Sequence, residues 1–303
     1  MKYNFNFFHY PVLLKEVIKA LNINHKRSNG IYVDCTFGGG GHSLKILKSL
    51  SNKGKLIALE KDPLSIINSK KIKDSRFSIF NTSFVNLEKI LLKNNIKYVD
   101  GILMDLGISL MQINDINRGF SFKLNGFLDM RINNTQGLSA KEWLVKAEEK
   151  NIFNVIKKYG EEKYAFNIAK NIILYRKIKP ILTTFQLSKI IQESIKYKKC
   201  KGHLSTKTFQ AIRIFINNEL EELKIGLKIA FNKISKNGRL VIISFHSLED
   251  KIVKKFMKSK LNFNIKKKKF SIKLFRKIKP NRFEIFSNSH SRSAIMRYIE
   301  RIF

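Results

Sequence analysis

Four short stretches of this chain carry residue types able to hold a charged small molecule and act beside it. The first runs Asp34-Cys-Thr-Phe-Gly-Gly-Gly-Gly-His42, an acid followed by four glycines and a histidine. Glycines let backbone approach a ligand closely, and a helix that starts behind them offers free N–H groups. The dinucleotide fingerprint G-x-G-x-x-G, counted from Gly38 and Gly40, requires a glycine where this chain has Ser43. The second is Glu60, placed about 20 residues beyond the glycines, where an acid accepts hydrogen bonds from ribose hydroxyls. The third is Asp105-Leu-Gly-Ile-Ser109. The fourth is Ser244-Phe-His-Ser-Leu-Glu-Asp250, which contains His246. Each also has a plainer reading: a turn without a ligand, a surface Glu60 paired with Lys61, a structural strand-end histidine. No C-x-x-C, H-E-x-x-H or carboxylate cluster argues for a metal, and no G-x-S-x-G elbow supports a hydrolase built on Ser109 and His246.

All four stretches fall where an apolar segment ends. Ile31–Phe37, Lys55–Glu60, Phe77–Asn81 and Val99–Leu106 read as strands. Between them lie a helix with Leu44, Ile46, Leu47 and Leu50 on its apolar positions, a helix begun at Pro63, and a helix over Phe84–Lys93. Continuous apolar strands alternating with helices predict an α/β fold with a parallel sheet covered on both faces. In such a sheet ligands bind beyond the carboxyl ends of the strands. From about Ile113 to Ser205 the pattern is helical. Ser139-x-x-Glu142 and Thr183-x-x-Gln186 are capping boxes there, and Tyr164–Tyr175 is a further helix. Alternation resumes with a long helix, Phe209–Lys233, a fifth strand, Arg239–Phe245, and a helix capped by Ser247-x-x-Asp250. That helix should bury Ile252, Val253, Phe256 and Met257. A basic tail (Lys266–Lys269, Arg276–Lys279) leads to a last strand in Met296–Phe303. The expected organisation is a discontinuous sheet domain, 1–112 and 206–303, with an inserted helical, substrate-binding domain, 113–205.

The chain has 303 residues, long enough for two domains, and its 44% hydrophobic and 11% aromatic content places it among globular proteins. Its 59 Lys+Arg against 23 Asp+Glu give a net charge of +36, which calls for a polyanionic partner. Lysine far outnumbers arginine, and Asn, Ile and Phe are heavily used, so compositional drift supplies part of that excess. Against this background a retained arginine marks a place where the planar fork is needed; Arg118, Arg131, Arg213, Arg292 and Arg297 stand out. Two cysteines, Cys35 and Cys200, make no disulfide framework. With no apolar signal core in Met1–Tyr10 and no run of membrane-spanning length, the expectation is a soluble cytoplasmic protein.

Eight motifs in order carry a resemblance that covers nearly the whole chain: His9-Tyr10-Pro11-Val12-Leu13, Gly38–His42, Asp105-Leu-Gly-Ile-Ser109 with Gln112, Arg118-Gly-Phe-Ser-Phe122, Leu128-Asp-Met-Arg131, Phe209-Gln-Ala-Ile-Arg213, Ser244–Asp250 and Ser291-Arg-Ser-Ala294. Together they resemble the RsmH (MraW) family, bacterial S-adenosylmethionine (SAM)-dependent methyltransferases acting on the N4 amine of a cytidine in the decoding region of 16S ribosomal RNA. The resemblance implies a Rossmann-like class I SAM-dependent methyltransferase sheet with a mainly helical insertion. It implies SAM contacts at Gly40, Gly41, His42, Glu60, Phe84, Asp105 and Gln112, and 16S rRNA or the small ribosomal subunit as partner, with no membrane and no metal. A homodimer is left open. Asp129 and His246 are the candidates for the base beside the amine, and Arg118, Arg131, Arg213 and Arg292 for RNA contacts; a mutual Asp129–Arg131 salt bridge is the plainer alternative. The chain departs from the family at three places: Glu60 stands where aspartate is common, Ser109-Leu110-Met111 replaces Ser-Ser-Pro, and a loop arginine is a glycine. An RNA-binding assembly protein without a cofactor and a nucleotide-dependent oxidoreductase are the rival readings; Ser43 argues against the second.

Overall fold

A computed structural model describes residues 11–195, 203–267, 272–274 and 277–301. His9, Tyr10, Cys200, Lys268, Lys269, Arg276, Ile302 and Phe303 lie outside the described residues. The chain forms two compact units, one built from residues up to Gly107 and from Leu220 onward, the other from Ile108–Glu219.

In chain order the first unit opens with α1 (Leu14–Leu21), β1 (Ile31–Asp34), α2 (Gly41–Ser49), β2 (Lys55–Glu60), α3 (Pro63–Ser69), β3 (Phe77–Asn81), α4 (Leu87–Lys93) and β4 (Val99–Asp105). The helical unit follows with α5 (Leu110–Asn114), α6 (Ala140–Lys146), α7 (Glu149–Gly160), α8 (Ala165–Ile178), α9 (Thr184–Glu193) and α10 (Thr206–Ile216). The chain then returns through α11 (Glu219–Lys233), β5 (Ile234–Ser244), α12 (Ser247–Lys267), β6 (Ile272–Leu274), α13 (Arg282–Ser287) and β7 (Ile295–Arg301).

Among the described residues the strands make one seven-stranded sheet in the order β3-β2-β1-β4-β5-β7-β6. The pairs from β3 to β5 are parallel, and β7 runs antiparallel to both β5 and β6. This is the expected Rossmann-like α/β sheet. The order reverses at β1, and the crevice beside β4 is where such sheets bind ligands. Alternation along the strands sorts side chains onto two buried faces. Ile102, Met104, Leu240 and Ile242 pack with α4, α11 and α12, whereas Leu103, Val241 and Ile243 pack with α1 and α2. In α12, Val253 and Met257 are buried, with Ile252 and Phe256 packed against the same core, as the pattern requires.

The helical unit spans Ile108–Glu219 rather than 113–205, and β5 begins at Ile234 rather than Arg239; three further boundaries differ for visible reasons. The single helix read over Phe209–Lys233 is two helices, because Asn217 leaves the helical path to donate to the Met130 carbonyl (2.7 Å) and accept from the Ile132 N–H (2.7 Å). Asn218 then takes the left-handed conformation, φ 51°, which asparagine tolerates better than most residues. Ser247 is the first helical residue of α12 rather than its cap; the Glu249 carboxylate reaches back to the N–H groups of Phe245 and His246. Phe84–Asn86 is a separate 3-10 turn ahead of α4, capped by the Ser83 hydroxyl.

The helical unit has a core of its own, running from Phe120 through Trp143, Ile156, Ile168 and Leu187 to Ile212. Ser139–Glu142 and Thr183–Gln186 form the two expected capping boxes, and Ser109–Gln112 forms a third. No described helix is long and apolar enough to cross a membrane.

Candidate active site

β1, β2 and β4 end side by side and deliver Asp34, Glu60 and Asp105 to the glycine turn. Asp34 is fully buried; its carboxylate accepts from the Ser43 hydroxyl (2.7 Å) and from the Thr36 N–H (3.1 Å). Thr36 in turn accepts the Asp105 N–H through its hydroxyl at 2.7 Å, which ties the β1 and β4 ends together. Burial raises the Asp34 pKa, against the hydrogen bond from Ser43 and the charge of His42. Ser43, met in the sequence only as the glycine that is missing, is thus the residue that fastens the loop to β1.

The loop itself is held in a shape only glycines permit. Gly40 has φ +78°, and a Cβ on it would come within 2.7 Å of the Phe37 ring; on Gly41 it would come within 2.2 Å of Pro11. At Gly39, by contrast, an added Cβ would meet nothing within 4 Å, so the loop crest faces open space. Behind the crest α2 begins, and its first intrahelical bond runs from the Leu44 N–H to the Gly40 carbonyl. The N–H groups of Gly41, His42 and Ser43 therefore have no acceptor within the helix, the usual condition of a first turn.

Glu60 is 8% exposed and bonded on both oxygens, accepting the Gly38 N–H (2.7 Å) and the Asp62 N–H (2.8 Å). Lys61 pairs with Glu222 at 2.9 Å, so the surface Glu60–Lys61 pair is not what forms. Burial raises the Glu60 pKa, the two backbone N–H donors working the other way. Each carboxylate oxygen keeps a second lone pair, so ribose hydroxyls can still bond there. Asp105 lies 3.4 Å from the His42 Nε2 through one oxygen, while its other oxygen, Oδ1, is buried without a partner. Burial disfavours a charged His42, but Asp105, Asp34 and Glu284 outweigh it and raise the imidazole pKa.

Phe84 is seated from behind. The α11 backbone passes so close at Gly226 that a Cβ there would lie 2.4 Å from the Phe84 ring. Glu222, one turn earlier, accepts from the Ser83 hydroxyl at 2.9 Å while holding Lys61. Neither Glu222 nor Gly226 carries a local sequence signature, since each meets partners far away along the chain.

Buried polar atoms without partners (Asp105 Oδ1 and His42 Nδ1), an open glycine crest and a buried acid at the β2 end suit an adenosyl amino acid. It brings ribose hydroxyls for Glu60 and a carboxylate for the α2 N–H groups. Gln112 lies in the helical unit, where its carbonyl oxygen accepts the Ser109 N–H (2.9 Å) and its own N–H donates to the Ser109 hydroxyl (3.3 Å). That capping box keeps the segment ordered without the family's proline.

His246 follows the β5 end. Its Nδ1 accepts the Glu249 N–H at 3.5 Å and its Nε2 lies 3.2 Å from the Glu249 carboxylate, so one buried glutamate orients the ring. In the helical unit Asp129 is bound in a two-point ion pair by Arg131 (2.9 and 2.6 Å), which also donates to the Gly137 carbonyl. The salt-bridge alternative is therefore the geometry found. Two of the arginines expected at RNA are engaged within the protein. Arg118 is 3% exposed, stacks near Phe120 and donates to the carbonyls of Arg131 and Ile132 (3.0 and 2.6 Å). Arg213 makes a two-point pair with Glu219 (2.9 and 2.9 Å) that closes the α10 end. Arg297 likewise holds Asp250, tying β7 to α12. Arg292 is exposed.

The chain is 47% identical to a "Ribosomal RNA small subunit methyltransferase H" of Janthinobacterium sp. (strain Marseille), over 97% of this chain and 94% of that protein. It is 50% identical to the protein of the same name from Buchnera aphidicola subsp. Cinara cedri, over 97% and 99%. A solved rRNA methylase from Streptococcus thermophilus is a looser likeness, with 10% identity, a TM-score of 0.41, and 96% and 94% of the two chains covered. The MraW methylase family matches residues 6–302, very nearly the full sequence, and the chain belongs to that family.

Proposed function

We propose that this protein transfers a methyl group from SAM to the N4 amine of a cytidine in 16S ribosomal RNA. Family membership and full-length relatives named for small-subunit rRNA methylation support the reaction class. The single structural observation that carries the cofactor half is the buried, unpartnered Asp105 Oδ1 beside an open glycine crest. When bound, SAM supplies a methyl group already activated on a sulfonium. Gly40, Gly41, His42, Glu60, Phe84 and Asp105 would hold it, and the family resemblance implies Gln112 as a further contact.

The chain's own work is then placement and proton handling. A cytosine amine is a weak nucleophile because its lone pair is delocalised into the ring, so alignment and exclusion of water matter most. As the nitrogen gains its methyl it must lose a proton, and a positioned acceptor assists that loss. His246 and Asp129 are the residues we assign to that side, each of which would have to give up a present contact, with Glu249 or with Arg131, to take the proton. The target base must leave its stack to reach such a site. The helical unit and the basic surface, Arg292 and Arg131 included, would hold the surrounding RNA by shape and phosphate contacts. Acting on ribosomal RNA, the protein would work in the cytoplasm.

Mass spectrometry of 16S RNA from cells with and without the protein tests the reading. N4-methylcytidine should disappear without it, and its persistence would remove the proposed substrate. With purified protein, His246→Ala and Asp129→Ala should keep SAM binding and lose methylation. Wild-type methylation rates in both would dismiss them as the proton acceptors.

A further inference from the structure

Most large apolar side chains that this protein leaves exposed are scattered singly, which is ordinary. Paired exposed aliphatics occur on α3 and α8, but α13 exposes a pair of aromatic rings. Phe283 is 81% exposed and Phe286 is 90% exposed, the two most exposed aromatic rings among the described residues, and they stand one helical turn apart. The helix itself is firmly placed. Its Asn281 side chain caps the Glu284 N–H at 2.8 Å, and the Glu284 carboxylate accepts the Leu13 N–H at 2.6 Å. Leu13 follows the Pro11 that packs beneath Gly41, so α13 is anchored to the segment that backs the glycine loop. The one acid of the helix thus serves this anchor, while both phenyl rings project to solvent.

The surroundings are basic. Lys277, Lys279, Arg282 and Arg292 are all exposed along the chain on either side of the rings. Apolar rings set among cations do not suit a hydrophobic protein partner, whose interface core would have to desolvate those charges. They suit a polyanion whose bases carry flat faces: cations track phosphates while aromatic rings stack on unpaired bases.

We propose that Phe283 and Phe286 form a stacking platform for unpaired bases of the RNA substrate, with the flanking cations gripping its backbone. This rests on the reading of the protein as an RNA methyltransferase and adds to it a specific recognition surface. Because the rings are exposed and touch little, replacing them leaves the fold intact.

The test measures binding of a single-stranded RNA oligonucleotide of small-subunit decoding-region sequence, and of the same sequence annealed to its complement. Fluorescence anisotropy is read across a range of salt, with SAM binding followed by calorimetry. The variant Phe283→Ala/Phe286→Ala should bind the single strand at least about tenfold more weakly, with the duplex much less affected. Its salt slope should stay at the wild-type value, whereas Arg282→Ala should reduce that slope by about one unit. Phe283→Trp/Phe286→Trp should restore affinity, and Phe283→Leu/Phe286→Leu, which keeps apolar area without an aromatic face, should not. Equal affinity of the wild type and the alanine variant overturns the platform. So does rescue by leucine, or a wild-type self-association that the alanine variant abolishes while RNA affinity is unchanged. Failure of the wild-type protein to bind this RNA at all would instead strike the substrate assignment itself.

Discussion

The two units treat their charged side chains in opposite ways. At the strand ends of the sheet unit, charge is left incompletely satisfied: Asp105 Oδ1 has no partner, His42 makes only a long contact, and Glu60 keeps spare lone pairs. In the helical unit the distinctive charges are spent on the protein. Asp129 and Arg131 bind each other at two points, Arg213 binds Glu219 at two points, and Arg118 is sealed against two carbonyls. Desolvating a charge is costly unless something repays it. Where the repayment is already visible the group is held by the protein; where it is missing beside an open glycine crest, a ligand can supply it. The difference supports the proposed cofactor seat at the strand ends and shows Arg118 and Arg213 engaged within the helical unit.

Substitution of Asp105 offers the strongest challenge to that contrast. Asp105→Ala should weaken SAM binding by about a hundredfold, the scale of losing a charged hydrogen-bond acceptor in a buried site, while calorimetric melting changes little. Unchanged SAM affinity would mean that the unpartnered oxygen is not a ligand group. Arg118→Ala should do the reverse. It leaves two carbonyls without their donor in a buried place, so a loss of about 2–4 kcal/mol in denaturant unfolding is expected, with the SAM dissociation constant unaltered. A stable Arg118→Ala variant with impaired RNA binding would erase the contrast.

The smallest effect concerns Asp250, whose carboxyl pKa is lowered chiefly by the hydrogen bond from Arg297. Its folded value lies below the unfolded 3.8, so the stabilisation is fully present above that pH and is lost as pH falls through the folded value. Arg297→Lys, which gives up the two-point geometry, should cost about 1 kcal/mol or less at neutral pH in urea titrations. The gap between variant and wild type should close on acidification below the ordinary aspartate range. A gap independent of pH would assign the effect to packing of the arginine stem.

Much of the sheet unit was legible from residue order alone. β2 and β3 fall on the expected residues, and α3 begins at Pro63 with Asp62 as its cap, because strand and helix periodicities and local caps are written within a few positions. Arginine usage in a lysine-rich chain did mark places that need a planar fork. What the fork would meet was not legible. The carboxylates and carbonyls that Arg118, Arg213 and Arg297 meet are chosen by tertiary packing, and a buried ion pair has the same sequence appearance as an RNA contact. Ser43 and Glu222 were missed for the same reason: their partners are Asp34 across the turn, and Ser83 and Lys61 far back along the chain. The split at Asn217 was hidden because two helices with only Asn217 and Asn218 between them imitate one long one.

The seat of Phe84 has a consequence for the order in which the protein can be made. The glycine loop, Glu60 and Asp105 have all been synthesised by the time the chain reaches Gly107, yet Gly226 and Glu222, which back and fasten Phe84, lie beyond the helical unit. β4, too, waits for β5 to cover its edge. A nascent chain therefore carries an unfinished pocket and an open apolar strand edge through the whole synthesis of the helical unit, the kind of edge that invites wrong pairing. The seat of Phe84 is complete only once α11 has been made, and the β4 edge is covered only once β5 has.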